Sequence, residues 1–343
     1  MDLTIGVDVG GTKVLAGVVD EQGRVVRTAR RSTPGRSVDV RLLEDALDAA
    51  VTAVADGSPI TCVGLAAAGF VDRAGDRVMF APHLPWRGED VRLRLEKRWG
   101  TAVLLDNDAN AAAWAEWRYG AARGAETAIV VTMGTGIGGG LIIDGRVHRG
   151  FNGMAGEFGH MQVVPDGQRC ECGRYGCWEQ YSSGNALVRF ARSRIGTEPT
   201  LLEELCGGRP ELLTGPMVTE AAEEGDLVAR QAFASVGDWL GIGLANLAAA
   251  FDPECIVIGG GVSAAGDRLL EPARNGLLRS LVGAEHRDVP PVVRARLGPE
   301  AGLVGAADLA RIAWRGLRPR KLSFGGTPGP VRRRAAPRRV RRR

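Results

Sequence analysis

Residues Leu3–Val19 read LTIGVDVGGTKVLAGVV. Two apolar, β-branched runs flank the polar centre Asp8-Val9-Gly10-Gly11-Thr12-Lys13, and each run predicts a buried strand. Gly10-Gly11 allows a tight turn between them, so the stretch is a hairpin. Its tip would present backbone N–H groups, the Thr12 hydroxyl and Lys13 to phosphate oxygens. It is not a Walker A loop. Gly6 and Gly11 have the right separation, but Thr12-Lys13 reverses the required order and a strand follows in place of a helix. Asp8, at the end of the first strand, is a candidate to hold Mg²⁺ through water.

The same arrangement occurs again downstream. Thr127–Met133 predicts a buried strand, followed by Gly134-Thr135-Gly136-Ile137-Gly138-Gly139-Gly140. The letters contain GxGxxG, yet that fingerprint must open a helix. Here Leu141–Asp144 predicts another strand, turned by Asp144-Gly145. A third glycine group, Gly259-Gly260-Gly261, follows the strand Cys255–Ile258 and precedes a helix expected from about Ala264 to Leu281. A strand running into glycines and then a helix lets a nucleotide lie close to backbone.

Asp106-Asn107-Asp108-Ala109-Asn110 opens a helix that closes near Gly120. One Asx residue would suffice as an N-cap, and four in five exceed that need. The helix field favours an ionised carboxylate on the first turn, so Asp108 is a candidate general base with no need of a raised pKa. Further candidates lie in Glu157–Glu179, EFGHMQVVPDGQRCECGRYGCWE. His160, Cys170, Cys172 and Cys177 supply the four ligands of a closed structural zinc site. Glu157 and Glu179 bracket it, and paired acids there suit a molecule with several hydroxyls. Cys62, Cys206 and Cys255 read as ordinary thiols.

Composition bounds the rest. The 343 residues allow two domains, and 45% hydrophobic with 24% charged residues is ordinary globular composition. No apolar run reads as a membrane span; the longest candidate, around Leu240–Phe251, looks too short. With no signal-peptide pattern at the start, the expected location is cytoplasmic, where cysteines stay reduced. The net charge of +4 conceals an asymmetry: residues 318–343 carry eleven Lys/Arg and no acid. That Pro- and Arg-rich tail is expected to be disordered, with weak polyanion binding as its sharper reading.

Taken together, Asp8–Lys13, Asn107-Asp108-Ala109-Asn110-Ala111-Ala112, Gly134–Gly140, Glu157-x-x-His160, the Cys170/Cys172/Cys177 loop with Glu179, and Gly259–Gly261 resemble the ROK family of repressors, open reading frames and sugar kinases. The likeness runs over about residues 3–316 and is strongest to the zinc-containing bacterial glucokinases. It implies an α/β actin-like ATPase (ribonuclease H-like) fold with two domains around a cleft: residues 1–118 with 303–317, and residues 119–302 carrying the zinc loop. It implies ATP-dependent phosphorylation of glucose to glucose 6-phosphate, with Asp108 as base. Asn107, Asp108, Glu157, His160 and Glu179 would hold the sugar. Asp8, Gly10, Gly11, Thr12, Lys13, Gly134, Thr135, Gly136, Gly138 and Gly259–Gly261 would hold ATP and Mg²⁺, and His160, Cys170, Cys172 and Cys177 would hold zinc. A homodimer or homotetramer is expected. One position departs from the pattern: His83 stands where many relatives carry Asn. Rival readings are a kinase for mannose, fructose or an N-acetylhexosamine, a polyphosphate donor, and a non-catalytic sugar sensor. A repressor is disfavoured because the first hairpin begins too early for a preceding DNA-reading motif.

Overall fold

The protein, seen here as a computed structural model, is described over residues 3–316. The expected basic tail at 318–343 lies outside the described residues. Strands β1 (Leu3–Val9), β2 (Lys13–Val19) and β3 (Val25–Ser32) form an antiparallel meander, and helix α1 (Val40–Ala55) crosses to β4 (Ile60–Ala67). A small hairpin follows, β5 (Phe70–Val71) and β6 (Val78–Phe80), then α2 (Val91–Trp99) and β7 (Ala102–Asn107). The first sheet has the order β3-β2-β1-β4-β7, with β4 and β7 parallel to β1.

Helix α3 (Asp108–Tyr119) leads to the second sheet, whose strands are β8 (Ala128–Met133), β9 (Ile137–Ile143), β10 (Arg146–Val147), β11 (Cys255–Gly259) and β12 (Val292–Arg294). Its order is β10-β9-β8-β11-β12, again antiparallel on one side of β8 and parallel on the other. The two sheets therefore share one connectivity. Between β10 and β11 lie α4 (Gly184–Arg192), α5 (Leu201–Leu205), α6 (Gly215–Glu224) and α7 (Leu227–Phe251). Helix α8 (Asp267–Ser280) joins β11 to β12, and α9 (Ala301–Trp314) ends the described chain.

Helix α9 returns to the first sheet, as the family likeness implies. Contact there is so close that a Cβ at Gly6 would stand 2.0 Å from the Leu303 carbonyl oxygen, and one at Gly64 1.9 Å from that of Ala306. On its other side α9 meets α3, where a Cβ at Gly305 would lie 1.7 Å from the Ala111 oxygen. Helix α3 in turn lies on the second sheet, with Gly140 of β9 facing Ala113. These two helices are the layer between the sheets.

One expectation needs correcting. Helix α7, at 25 residues, is long and apolar enough to cross a membrane. The apolar run around Leu240–Phe251 is only its second half, because Asp238 interrupts the run before it. The helix is mostly buried, packing against α4, α6 and α8 with Phe233, Leu240, Leu244 and Trp178 in the same core. The sequence reading also missed the short helix α5, whose five residues hold too little periodicity to register. The helix expected from Ala264 starts at Asp267, preceded by a 3₁₀ turn over Gly261–Ala265.

Candidate active site

Both glycine hairpins end at the cleft-facing ends of their sheets. In the first, Gly10 N–H donates to the Lys13 carbonyl (3.0 Å), and Thr33 secures the turn through Gly10 O (2.7 Å) and Thr12 O (3.2 Å). A Cβ at Gly11 would stand 2.6 Å from the Cβ of His83. His83 therefore packs on the turn, although the residue as a whole is exposed. The loop carrying it is held by Arg87, whose guanidinium donates to the carbonyls of Ala81, Leu84 and Trp86 and covers the Phe80 ring.

In the second hairpin Gly134 N–H donates to the Gly136 carbonyl (3.0 Å). The start of α4 seats on this turn through Gly184 N–H to Gly134 O (2.8 Å) and Asn185 N–H to Thr135 O (3.3 Å). Gly134, Thr135 and Gly136 thus form the tip. Gly138 lies inside β9, where a Cβ would be 2.7 Å from Thr132 Oγ1 and 3.2 Å from Ala109 Cβ, so its small size serves packing on α3. Gly260, at φ +80°, sits so tightly on the end of β8 that a Cβ would be 2.3 Å from Met133 O. This brings Gly259–Gly261 beside the second turn.

The Asx run divides its labour. Asn107 is the N-cap, its Oδ1 accepting from Asn110 N–H at 3.0 Å while its Nδ2 donates to Gly69 O at 3.1 Å. Asp108 opens the helix, and its Oδ1 accepts from Ala109 N–H (3.0 Å) and Asn107 Nδ2 (3.1 Å). Asp106 is buried and accepts from Arg149, a partner the sequence reading missed. Nothing in the spacing could have found it, because the partners are 43 residues apart, one in β7 and the other in the segment after β10.

Carboxylates crowd this centre. Burial, opposed by Lys13, raises Asp8 to about 6. Burial, then the charge of Asp8, raise Asp108 to about 7; the Ala109 N–H opposes this and Glu157 adds to it. This corrects the expectation that the helix terminus alone keeps Asp108 ionised with an ordinary pKa. Burial also raises Glu157, with His160 lowering it and Glu179 raising it. Asp8 also abuts the first turn of α9, since a Cβ at Gly302 would be 3.2 Å from its carboxyl. Asp8, Asp108, Glu157, His160 and Glu179 are therefore one continuous set linking the two sheets.

The metal quartet is also assembled. One donor atom from each of His160, Cys170, Cys172 and Cys177 lies within 4.8 Å of all the others. His160 Nδ1 is 3.7 Å from Cys170 Sγ, and Cys172 Sγ is 3.6 Å from Cys177 Sγ. Zn–S bonds of about 2.3 Å give tetrahedral edges of roughly 3.7 Å, so the donors fit zinc. Glu179 stands at the margin: Oε1 is 3.0 Å from Cys170 Sγ and 3.6 Å from His160 Nδ1, while Oε2 accepts from Ile137 N–H at 3.4 Å. It thereby ties the cysteine loop to the second glycine turn.

Comparison with known proteins agrees with this architecture. The ROK family model matches residues 4–313. A glucokinase of Streptomyces coelicolor is 46% identical over 314 residues, covering 91% of this chain and 98% of the relative. A glucokinase of Thermotoga maritima is 35% identical, covering 90% and 96%. Among solved structures, a ROK family glucokinase from Streptomyces griseus in complex with glucose and AMPPNP superposes with a TM-score of 0.84. It is 48% identical and covers 90% of this chain and 99% of its own.

Proposed function

The chain belongs to the ROK family, and from that membership and its carboxylate-lined cleft we infer its reaction and the roles of its residues. It catalyses the ATP-dependent phosphorylation of glucose to glucose 6-phosphate and has the actin-like ATPase fold, as full-length similarity to glucokinases supports. The observation carrying the residue assignment is that Asp108 stands on the first turn of α3 among Asp8 and Glu157, between two glycine turns.

Asp108 takes the proton of the sugar 6-hydroxyl as that oxygen attacks the γ-phosphorus. Asn107, Glu157, His160 and Glu179 accept and donate at the other hydroxyls. Gly10, Gly11, Thr12 and Lys13 face the phosphates from one side, and Gly134, Thr135 and Gly136 from the other. Gly259–Gly261 leave room for the nucleoside. Asp8 would hold Mg²⁺, which would neutralise phosphoryl charge. Zinc on His160, Cys170, Cys172 and Cys177 would be structural, since four protein ligands leave no open position. With Nδ1 on the metal, the other ring nitrogen of His160 remains for a sugar hydroxyl.

The working domain division is residues 1–118 with 303–317 against 119–302, closing over the substrates to exclude water. A cytoplasmic homodimer or homotetramer is the assembly we expect. A coupled assay of ADP formation, run across glucose, mannose, fructose and N-acetylhexosamines with ATP or polyphosphate, tests the reaction. Glucose with ATP should give the highest kcat/KM. Absence of glucose-dependent ADP release would overturn it.

A further inference from the structure

Asp106 is the penultimate residue of β7 in the first sheet, two residues before Asp108, and is 3% exposed. Arg149 reaches it from the segment after β10 in the second sheet. Its Nε lies 3.2 Å and 3.1 Å from the two carboxylate oxygens, and its Nη2 also bonds Oδ2. The same carboxylate accepts from Asn107 N–H at 2.9 Å and faces Asn110 Nδ2 at 3.4 Å. One buried carboxylate thus gathers donors from the strand end, from the first turn of α3 and from the opposite half of the molecule.

Arg149 begins a short bridge. Ala155 N–H donates back to its carbonyl at 3.1 Å, closing the loop between them. Inside that loop Gly153, at φ +84°, packs on the small hairpin of the first half; a Cβ there would be 2.4 Å from Val71 O. Two residues past Ala155 comes Glu157, whose charge acts on Asp108. A single segment therefore holds the strand before Asp108 at one end and the acid facing Asp108 at the other.

We propose that Arg149 is a positioning residue for phosphoryl transfer: through Asp106 it fixes the turn presenting Asp108 relative to the Glu157 side of the cleft. The proposal rests on the reading of Asp108 as the base. A half-buried ion pair alone is weak evidence even for stability, so a structural role has to be separated from this one. Misplacing a reacting group by about 1 Å can cost on the order of 10²-fold in rate. A merely structural pair would lower the melting temperature while leaving kcat per folded molecule unchanged.

Arg149→Met, Arg149→Lys and Asp106→Asn are measured in the full-length chain, with folded fraction fixed by circular dichroism. Arg149→Met should lower kcat with glucose by roughly 10²-fold and leave the KM for ATP within about twofold. Arg149→Lys keeps the charge without the two-pronged contact and should recover about a tenth of wild-type kcat. Asp106→Asn should resemble Arg149→Met, and the double variant should be no worse than either, because both remove one interaction. Wild-type kcat in folded Arg149→Met, or additive losses in the double variant, would overturn the proposal. If Arg149→Met does not fold, Arg149→Lys and near-isosteric Asp106→Asn decide: unchanged kcat in both overturns it. Asp108→Ala separates the two readings. If it stays active, the base assignment fails; if it is inactive while the Arg149 variants are not, only the present inference fails.

Discussion

At Asp108 two effects compete. The start of α3 and the Ala109 N–H favour the carboxylate, while burial, Asp8 and Glu157 favour the acid and win, placing it at about 7. A base must be ionised to accept a proton, so kcat/KM for glucose should climb with pH through about 7 in the free enzyme and level off above. A pH profile flat from 5 to 9 would contradict the assignment. Asp108→Ala should keep glucose binding by titration calorimetry and lose on the order of 10²-fold or more in kcat. The sequence showed that this residue was special, since four Asx residues in five exceed capping. It did not show the raised pKa, which depends on Asp8 and Glu157, neighbours only in the fold. For the same reason it could not divide the run into cap (Asn107), buried ion-pair partner (Asp106) and candidate base.

The cysteine loop was the most legible element, because the short Cys and His spacings that suit a metal quartet also bring these four donors together in the fold. The structure adds the contacts of Glu179, which meets Cys170 on one side and the turn at Ile137 on the other. Stripping the metal with a chelator, or Cys177→Ser, should therefore lower both the melting temperature and glucose affinity. Glucose affinity unchanged by chelation would disconnect the loop from the sugar site. Helix α9 teaches the opposite lesson. Its sequence, AGLVGAADLARIAW, is apolar enough to predict burial, but its closeness to two partners is not legible there, because a glycine in a helical pattern does not reveal what approaches it. Gly305 faces the Ala111 backbone with no room for a methyl group. Gly305→Ala should cost about 1–3 kcal/mol in urea unfolding, as overpacking does; a neutral result would mean that α3 and α9 can part without penalty.

Across the whole molecule, the two sheets repeat one strand order without repeating one sequence. The glycine turns were visible in both halves, yet β10 has two residues where β3 has eight. The helices between the central strands differ as well, so no period appears in the chain. Bringing these halves together concentrates carboxylates in the cleft, with a consequence for global stability. Asp8 and Asp108 have folded-state values of about 6 and 7, both above their ordinary 3.8. Such groups bind more protons folded than unfolded, so their contribution to stability falls as pH rises from about 4 to about 7, then stays constant. Asp108→Asn removes that penalty and keeps an oxygen that can accept from Ala109 N–H. Without nucleotide, sugar or Mg²⁺, the variant should melt above the wild type at pH 8 and with it at pH 4. Asp8→Asn should behave alike over a window ending near pH 6. The two gains should be less than additive, because the Asp8 charge is part of what raises Asp108. A melting difference independent of pH would show that the cleft carboxylates are not held ionised against their environment. The expected result would instead mark this centre as a place where function is kept at the expense of the apo fold.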